Sequence, residues 1–335
     1  MNALTIRSAA LCLTGFALMS QSRAAELKLP QDGWASWQVE AVAGAPAWCC
    51  FDGWDGADAA PKTCKLDDER NGYGSRDKST TDSVRVYARV ANGKVERLRA
   101  YAASCKVEAR TKIQDLGTVA TDDSARWLMT LSKHGASGLK NDDRRDDVFA
   151  ALAIHRGEFS QNALASMARG SDDVETRKKA VFWLAMVRGT AGEEVVSTVM
   201  FNDKDPELRK HAAFAIAQGK SARAIQDLIK QGNGDEDADV RAQAWFWLAQ
   251  TGAADSERAI TAALRKDGDD HVREQAVFAL SQLPDDRSTR ALIAAAEDKT
   301  LPYEQRKRAL FWLGQSDKDG ATKYLDQVLM GKGTN

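Results

Sequence analysis

An arginine returns along the later part of this chain at near-constant spacing: Arg145, Arg177, Arg209, Arg241, Arg273 and Arg306, in steps of 32, 32, 32, 32 and 33 residues. Self-similarity at that period constrains the fold more than any other feature. A unit of that length is a pair of helices that cannot bury its apolar side alone and must stack on its neighbours. The text around five of the arginines recurs as RKKAVFWLA, RKHAAFAIA, RAQAWFWLA, REQAVFALS and RKRALFWLG. The Arg145 copy, RDDVFAALA, is degenerate, as a terminal capping repeat should be.

With each arginine as zero and 100° per residue, positions −1, +3, +4 and +7 fall on one stripe of a helix. They hold Leu208, Ala212, Ala213 and Ile216, or Val272, Ala276, Val277 and Leu280, which makes this stripe the core. The first helix of each pair carries its own stripe, as in Ile225, Leu228 and Ile229, or Leu325, Val328 and Leu329.

Before residue 119 the period is different. Val84, Val86, Ala88 and Val90 alternate with polar or larger residues, Ala91-Asn92-Gly93-Lys94 supplies a turn, and Val95 to Ala102 returns as a second strand. A further strand is expected at Ser36 to Val42, with Cys50 to Asp82 as a long loop. Asp67, Glu69, Asn71 and Gly72 resemble the start of a calcium loop, but Lys78 stands where the closing bidentate Glu is needed.

Residues 1–24 read as a secretory signal: an Arg near the start, an apolar run from Ala9 to Met19 too short to span a bilayer, then Ser22 and Ala24 as the small pair before the cut. Removing it leaves Cys49, Cys50, Cys64 and Cys105, an even set that reads as two disulfides in an oxidising compartment. A ring between Cys49 and Cys50 is strained, so each should pair with Cys64 or Cys105. The expected domains are a signal peptide at 1–24, a disulfide-stapled α/β domain at 25–118, a repeat array at 119–331 and a tail at 332–335. The expected location is periplasmic or secreted.

The repeat resembles the HEAT family, specifically the short HEAT-like repeats of phycobilisome lyases. The match lies in Val240-Arg241 and Val272-Arg273, in Ala180, Ala212, Ala244, Ala276 and Ala309, and in Leu184, Leu248, Leu280 and Leu313. The Tyr87-x-Arg89, Asn92-Gly93-Lys94 and Cys105 order looks like that of exported bacterial HEAT proteins. The resemblance implies a mostly α protein, a right-handed α-solenoid of helix pairs following the small N-terminal domain. It further implies that each arginine pairs with an aspartate six positions earlier. Asp203, Asp235 and Asp267 stand there for Arg209, Arg241 and Arg273; Ser171 and Thr300 break the ladder at its ends. It also implies that the second helix of each pair lines the concave side.

Position +5 points away from the core stripe, yet it holds Phe182, Phe214, Phe246, Phe278 and Phe311. One turn on, position +9 holds Gln218, Gln250, Gln282 and Gln315, with Met186 in the first of these copies. An aromatic and an amide four residues apart share one helix face. The rings either pack on each other or under the N-terminal domain, or they bind an extended polypeptide. Contiguous apolar stripes outside the core favour the binding reading. The pattern looks similar to armadillo repeats, where a Trp and an Asn four residues later hold peptide backbone. Position +6, on the flank between core and groove, alternates Trp183, Ala215, Trp247, Ala279 and Trp312, a large-small series that fills space between repeats or sets Trp at the groove edge as a contact. Lys178, Lys179, Lys210, His211, Lys307 and Arg308 at +1 and +2 make the inner face mildly basic towards its ends, which suits an acidic segment.

Function classes narrow accordingly. With 47 Lys+Arg against 48 Asp+Glu the net charge is −1, unlike a dedicated nucleic-acid binder. His134, His155, His211 and His271 show no His-Glu pair and no zinc spacing, and no nucleophile elbow or phosphate loop occurs. No cofactor, metal or membrane insertion is expected. The sequence points to a non-enzymatic scaffold whose partner is a protein or peptide. The alternative is a lyase-type or other enzyme built on the same repeats.

Overall fold

The computed structural model describes residues 27–51, 63–68, 72–74, 79–132, 139, 142–170, 173–284 and 286–330. The signal at 1–24, the tail at 332–335 and the calcium-like positions Glu69, Asn71 and Lys78 lie outside the described residues.

Among the described residues eight strands precede the helices: β1 (Gly33–Glu40), β2 (Cys49–Phe51), β3 (Cys64–Lys65), β4 (Gly72–Gly74), β5 (Ser83–Ala91), β6 (Lys94–Ala102), β7 (Val107–Glu108) and β8 (Ile113–Thr118). Four of them form one sheet in the order β6-β5-β1-β8, with β8 parallel to β1. The β5–β6 turn is made by Asn92 and Gly93, both at positive φ (51° and 72°), the two-residue geometry that matches strand twist. Period-two alternation is realised: Val84, Val86 and Ala88 are fully buried on one face of the sheet. The other face is not solvated. Trp34, Tyr87 and Tyr101 form a second small core there with Cys64 and Leu66. Two disulfides staple it, Cys49–Cys105 and Cys50–Cys64, with Cα separations of 5.7 and 5.4 Å. The short strands β2, β3, β4 and β7 stand inside and beside what the sequence reads as a single loop.

Described residues before 119 contain strands only. The helical layer of this unit comes from α1 (Thr121–Ser132) and α2 (Asp142–Ile154), which open the solenoid. Trp37, Val39 and Leu98 share one continuous core with Leu128, Phe149 and Leu152 of these helices. At the joint Trp37 Nε1 donates to Ser124 Oγ (2.8 Å), and Ser124 Oγ lies 2.7 Å from Nε2 of His155, whose Nδ1 reaches Ala151 O at 2.5 Å. Backbone bonds from Val42 N to Ile154 O and from Arg156 N to Glu40 O extend β1 along the end of α2. Arg188 seals the same corner, donating to the carbonyls of Ala153, His155 and Gly157 and to Gln161 Oε1. A buried Arg99–Asp147 pair ties β6 to α2.

Five further pairs follow: α3 (Glu158–Gly170) with α4 (Val174–Val187), α5 (Gly189–Asn202) with α6 (Pro206–Gly219), α7 (Ala222–Gly234) with α8 (Ala238–Thr251), α9 (Ser256–Lys266) with α10 (Asp270–Ser281), and α11 (Arg287–Glu297) with α12 (Tyr303–Gly314); α13 (Asp319–Leu329) stands last. Each of α4, α6, α8 and α10 begins at an aspartate, Asp173, Asp205, Asp237 or Asp269. Its extended backbone lets the carboxylate accept a first-turn amide. The expected core stripe is realised, with Leu208, Ala212, Ala213, Ile216, Val272, Ala276, Val277 and Leu280 all buried. The stripe expected on α13 is not. Val328 and Leu329 are exposed and only Ala321 is buried, because among the described residues no second helix covers α13.

The arginine ladder runs in a different register from the one the family resemblance implies. Arg209 does reach Asp203, but through the aspartate's backbone carbonyl (2.9 Å). Its carboxylate partner is Asp235 of the following repeat, bonded from Nε and Nη2 at 2.9 and 2.8 Å. Arg241 repeats this with Asp235 O and the Asp267 carboxylate, and Arg177 pairs with Asp203. Each of Asp203, Asp235 and Asp267 also accepts the amide two residues on, so one side chain joins two repeats and starts the next turn. The ends are weaker. Arg145 turns to Thr176 and, at 3.4 Å, to Asp173; Arg273 turns to Asp270 on its own helix; Arg306 lies 6.0 Å from the centre of the Tyr303 ring.

Candidate functional site

Helices α4, α6, α8, α10 and α12 crowd against one another along the array, while α5, α7, α9, α11 and α13 touch each other far less. The crowded side is the inside of the arc. The five phenylalanines lie on these inner helices, and none reaches full burial. Phe182, Phe214, Phe246 and Phe278 are half-buried and Phe311 is 50% exposed.

The rings form one continuous series. Phe182 stacks on Phe214 at 5.9 Å and 12°, and Phe246 on Phe278 at 5.7 Å and 7°. Trp247 bridges the two stacks, its ring 4.9 Å from Phe214 and 4.8 Å from Phe246, and Trp312 does the same between Phe278 (4.9 Å) and Phe311 (5.2 Å). The alternation at +6 therefore has two effects. Where +6 is Ala215 or Ala279 the phenylalanines of neighbouring repeats lie face to face; where it is Trp247 or Trp312 an indole wedges between them. The tryptophans, expected chiefly as filler between repeats and otherwise as contacts at the groove edge, are members of the series. At its start Trp183 takes Trp48, which precedes β2 and packs edge-on at 5.6 Å. Trp48 carries no signal in the sequence beyond its place beside Cys49.

The glutamines lie at the C-terminal ends of the same helices, Gln218 and Gln250 in the last turn of α6 and α8 and Gln282 and Gln315 capping α10 and α12. Gln218, Gln250 and Gln315 are exposed and Gln282 is half-buried. Gln218 donates to its own Phe214 carbonyl (3.2 Å), and Gln250 donates to Gln282 Oε1 of the next rung at 3.4 Å. Met186 is exposed at the equivalent place.

The cations of this face have acidic neighbours: Lys178–Glu175, Lys179–Asp146, Lys210–Glu207, Lys307–Glu304 and Arg308–Glu274. His211 donates from Nε2 to the Lys178 carbonyl (3.0 Å) and tilts against Phe214. Burial holds its imidazole below the usual histidine range despite that bond, so it is neutral at neutral pH. The groove is thus close to electroneutral and dominated by aromatic surface. Among the described residues, no three His, Cys, Asp or Glu side chains gather as metal ligands, and no helix is long and apolar enough to cross a membrane.

Residues 226–313 match the family model described as HEAT repeats. That stretch runs from α7 to α12 of the solenoid. Nothing among curated proteins matches the chain. Solved structures similar to it include human deoxyhypusine hydroxylase in complex with glycerol (21% identity, TM-score 0.34), of which the chain spans 65% while 49% of this chain is covered. Another is the Escherichia coli protein YibA (22% identity, TM-score 0.36, 61% of this chain and 81% of that one). A third is a designed armadillo repeat protein in complex with the peptide (KR)4 (16% identity, TM-score 0.33, 57% and 98%). The match is to HEAT repeats over residues 226–313 and leaves the chemistry to be argued from the groove.

Proposed function

We propose that the chain is a non-catalytic scaffold, exported from the cytoplasm, that binds an extended polypeptide along the aromatic series of its HEAT groove. The observation that carries this reading is that five consecutive inner helices each leave part of a phenylalanine ring open on the same face. The array does not need those rings for its core, which −1, +3, +4 and +7 already fill. Phenylalanine edges and indoles form slots for side chains, and the glutamine amides offer both a donor and an acceptor to peptide backbone. With inner helices about 10 Å apart, five rungs run about 40 Å, room for roughly a dozen extended residues. Trp48 on Trp183 is an internal instance of the same chemistry, a ring from outside the array seated on the series. Two disulfides support a location in an oxidising compartment. Because the groove cations are paired, ring burial rather than an acidic sequence provides the main attraction.

The test is selection of a displayed library of random dodecapeptides on the purified protein. Selected peptides should bind wild type and fail to bind a Phe214→Ser, Phe246→Ser, Phe278→Ser triple variant whose far-UV circular dichroism is unchanged. Peptides that bind both proteins equally would rule the groove out as the site.

A further inference from the structure

The last inner helix, α12, departs from α6, α8 and α10 in features that meet at one place. Gln305 occupies position −1, where Leu208, Val240 and Val272 are fully buried apolar residues. Gln305 is itself only 6% exposed, and among the described residues no donor reaches its Oε1. A buried amide oxygen without a partner costs stability, and native structures retain few of them. Gln305 lines a cavity of about 190 Å³ together with Glu274, Glu304, Lys307, Arg308 and Phe311.

The same cavity lies where the aromatic series is incomplete. The series has a two-repeat unit, a tryptophan-bearing helix whose phenylalanine lies face to face with that of the next helix: Phe182 on Phe214, then Phe246 on Phe278. Trp312 and Phe311 begin a third unit, and among the described residues no ring stacks on Phe311 as its second member.

We infer that the cavity beside Phe311 is a subsite for one tryptophan side chain of the bound polypeptide, its ring stacked on Phe311 and the Gln305 side chain turned into the cavity so that its otherwise buried Oε1 accepts the indole N–H. The inference rests on the groove reading for the identity of the partner. The volume falls below the ~300 Å³ at which pockets for whole small molecules begin, and suits a single side chain. An orphan acceptor calls for a donor, which an indole has and a benzyl group lacks. The rim pairs Arg308 with Glu274 and Lys307 with Glu304, so it favours a neutral ring over a guanidinium or a carboxylate. At the opposite end of the series, the ring seated on Trp183 is an indole.

Calorimetric titration with N-acetyl-tryptophanamide and N-acetyl-phenylalaninamide tests this on the intact protein. Wild type should bind the indole about tenfold more tightly, the value of roughly one hydrogen bond to an otherwise orphaned group. Q305L restores the residue type of position 208 and should erase the preference while keeping the phenyl ligand. F311A should lose both ligands with its circular dichroism unchanged. No saturable binding at millimolar ligand, equal binding of the two amides by wild type, a preference that survives Q305L, or undiminished binding by F311A would each overturn the subsite. The triple variant at Phe214, Phe246 and Phe278 separates the two readings. If it still takes N-acetyl-tryptophanamide and also still binds the selected dodecapeptides, the groove reading falls and the subsite stands.

Discussion

Phe246 and Phe278 lie 32 residues apart on neighbouring inner helices, and their rings stack at 5.7 Å with only 7° between planes. Each ring supports the other and leaves an edge open to the groove, which reconciles mutual packing with recognition. The pair should be energetically coupled. A double-mutant cycle with Phe246→Leu and Phe278→Leu is expected to give an interaction of about 0.5–1.5 kcal/mol in urea unfolding. Additive losses would mean that the stack has no energetic content.

The ladder register has its own test. Arg209→Met leaves the Asp235 carboxylate buried without its cation and should cost about 3–5 kcal/mol. In double-mutant cycles Arg209 should couple to Asp235→Asn and not to Asp203→Asn, since it uses only the backbone of Asp203. Coupling to the Asp203 side chain instead would restore the register implied by the family resemblance.

The joint between sheet and solenoid should be acid-sensitive. Burial, with Arg188 nearby, pushes the His155 imidazole down to about 4 from an ordinary 6.5, so the folded state refuses a proton that the unfolded chain accepts. Stability contributed by this group is complete above pH 6.5, declines as pH falls, and is lost by about pH 4, a total of about 3 kcal/mol. Urea midpoints measured between pH 7.5 and 4.5 should show this slope in wild type, and His155→Asn should flatten it. The Asp173 and Asp267 carboxyls are held below their usual range and act at lower pH. For Asp173 the Thr176 hydrogen bond leads; for Asp267, burial opposes the shift and bonds from Arg241 and the Asp269 amide outweigh it.

Gly232 should resist even a methyl group. A Cβ there would sit 2.5 Å from the Trp245 ring, which fills the core position held by Ala213 and Val277 in neighbouring repeats. Gly232→Ala is expected to lower stability by about 1–3 kcal/mol despite its better helix propensity, and Trp245→Leu should remove most of that penalty. A stabilised Gly232→Ala protein would contradict the packing.

The period of the arginines made the array legible, because each repeat must present the same core stripe to its neighbours, and position +5 stood out as apolar where the stripe does not run. The β5–β6 hairpin was legible from alternation and Asn92-Gly93. What escaped were relations between distant segments. β8 carries no clean alternation and is fixed by its parallel pairing with β1. Trp48 gains meaning only through Trp183, and Arg188 only through carbonyls more than 27 residues away. The polar residue at Gln305 was visible against Leu208, Val240 and Val272, but only burial turns that difference into an orphan acceptor.

The central claim, that an extended polypeptide lies in the concave groove, is tested most directly by site-specific photo-crosslinking. Benzoylphenylalanine placed at Gln218, Gln250 or Gln315 at the ends of inner helices, or at the exposed Gln226 on α7, is irradiated with a selected dodecapeptide. Crosslinks from the three inner positions, with peptide residues shifting in order from 218 to 315, and none from 226 are the predicted result. Crosslinks from Gln226 alone, or from every position without order, would contradict it.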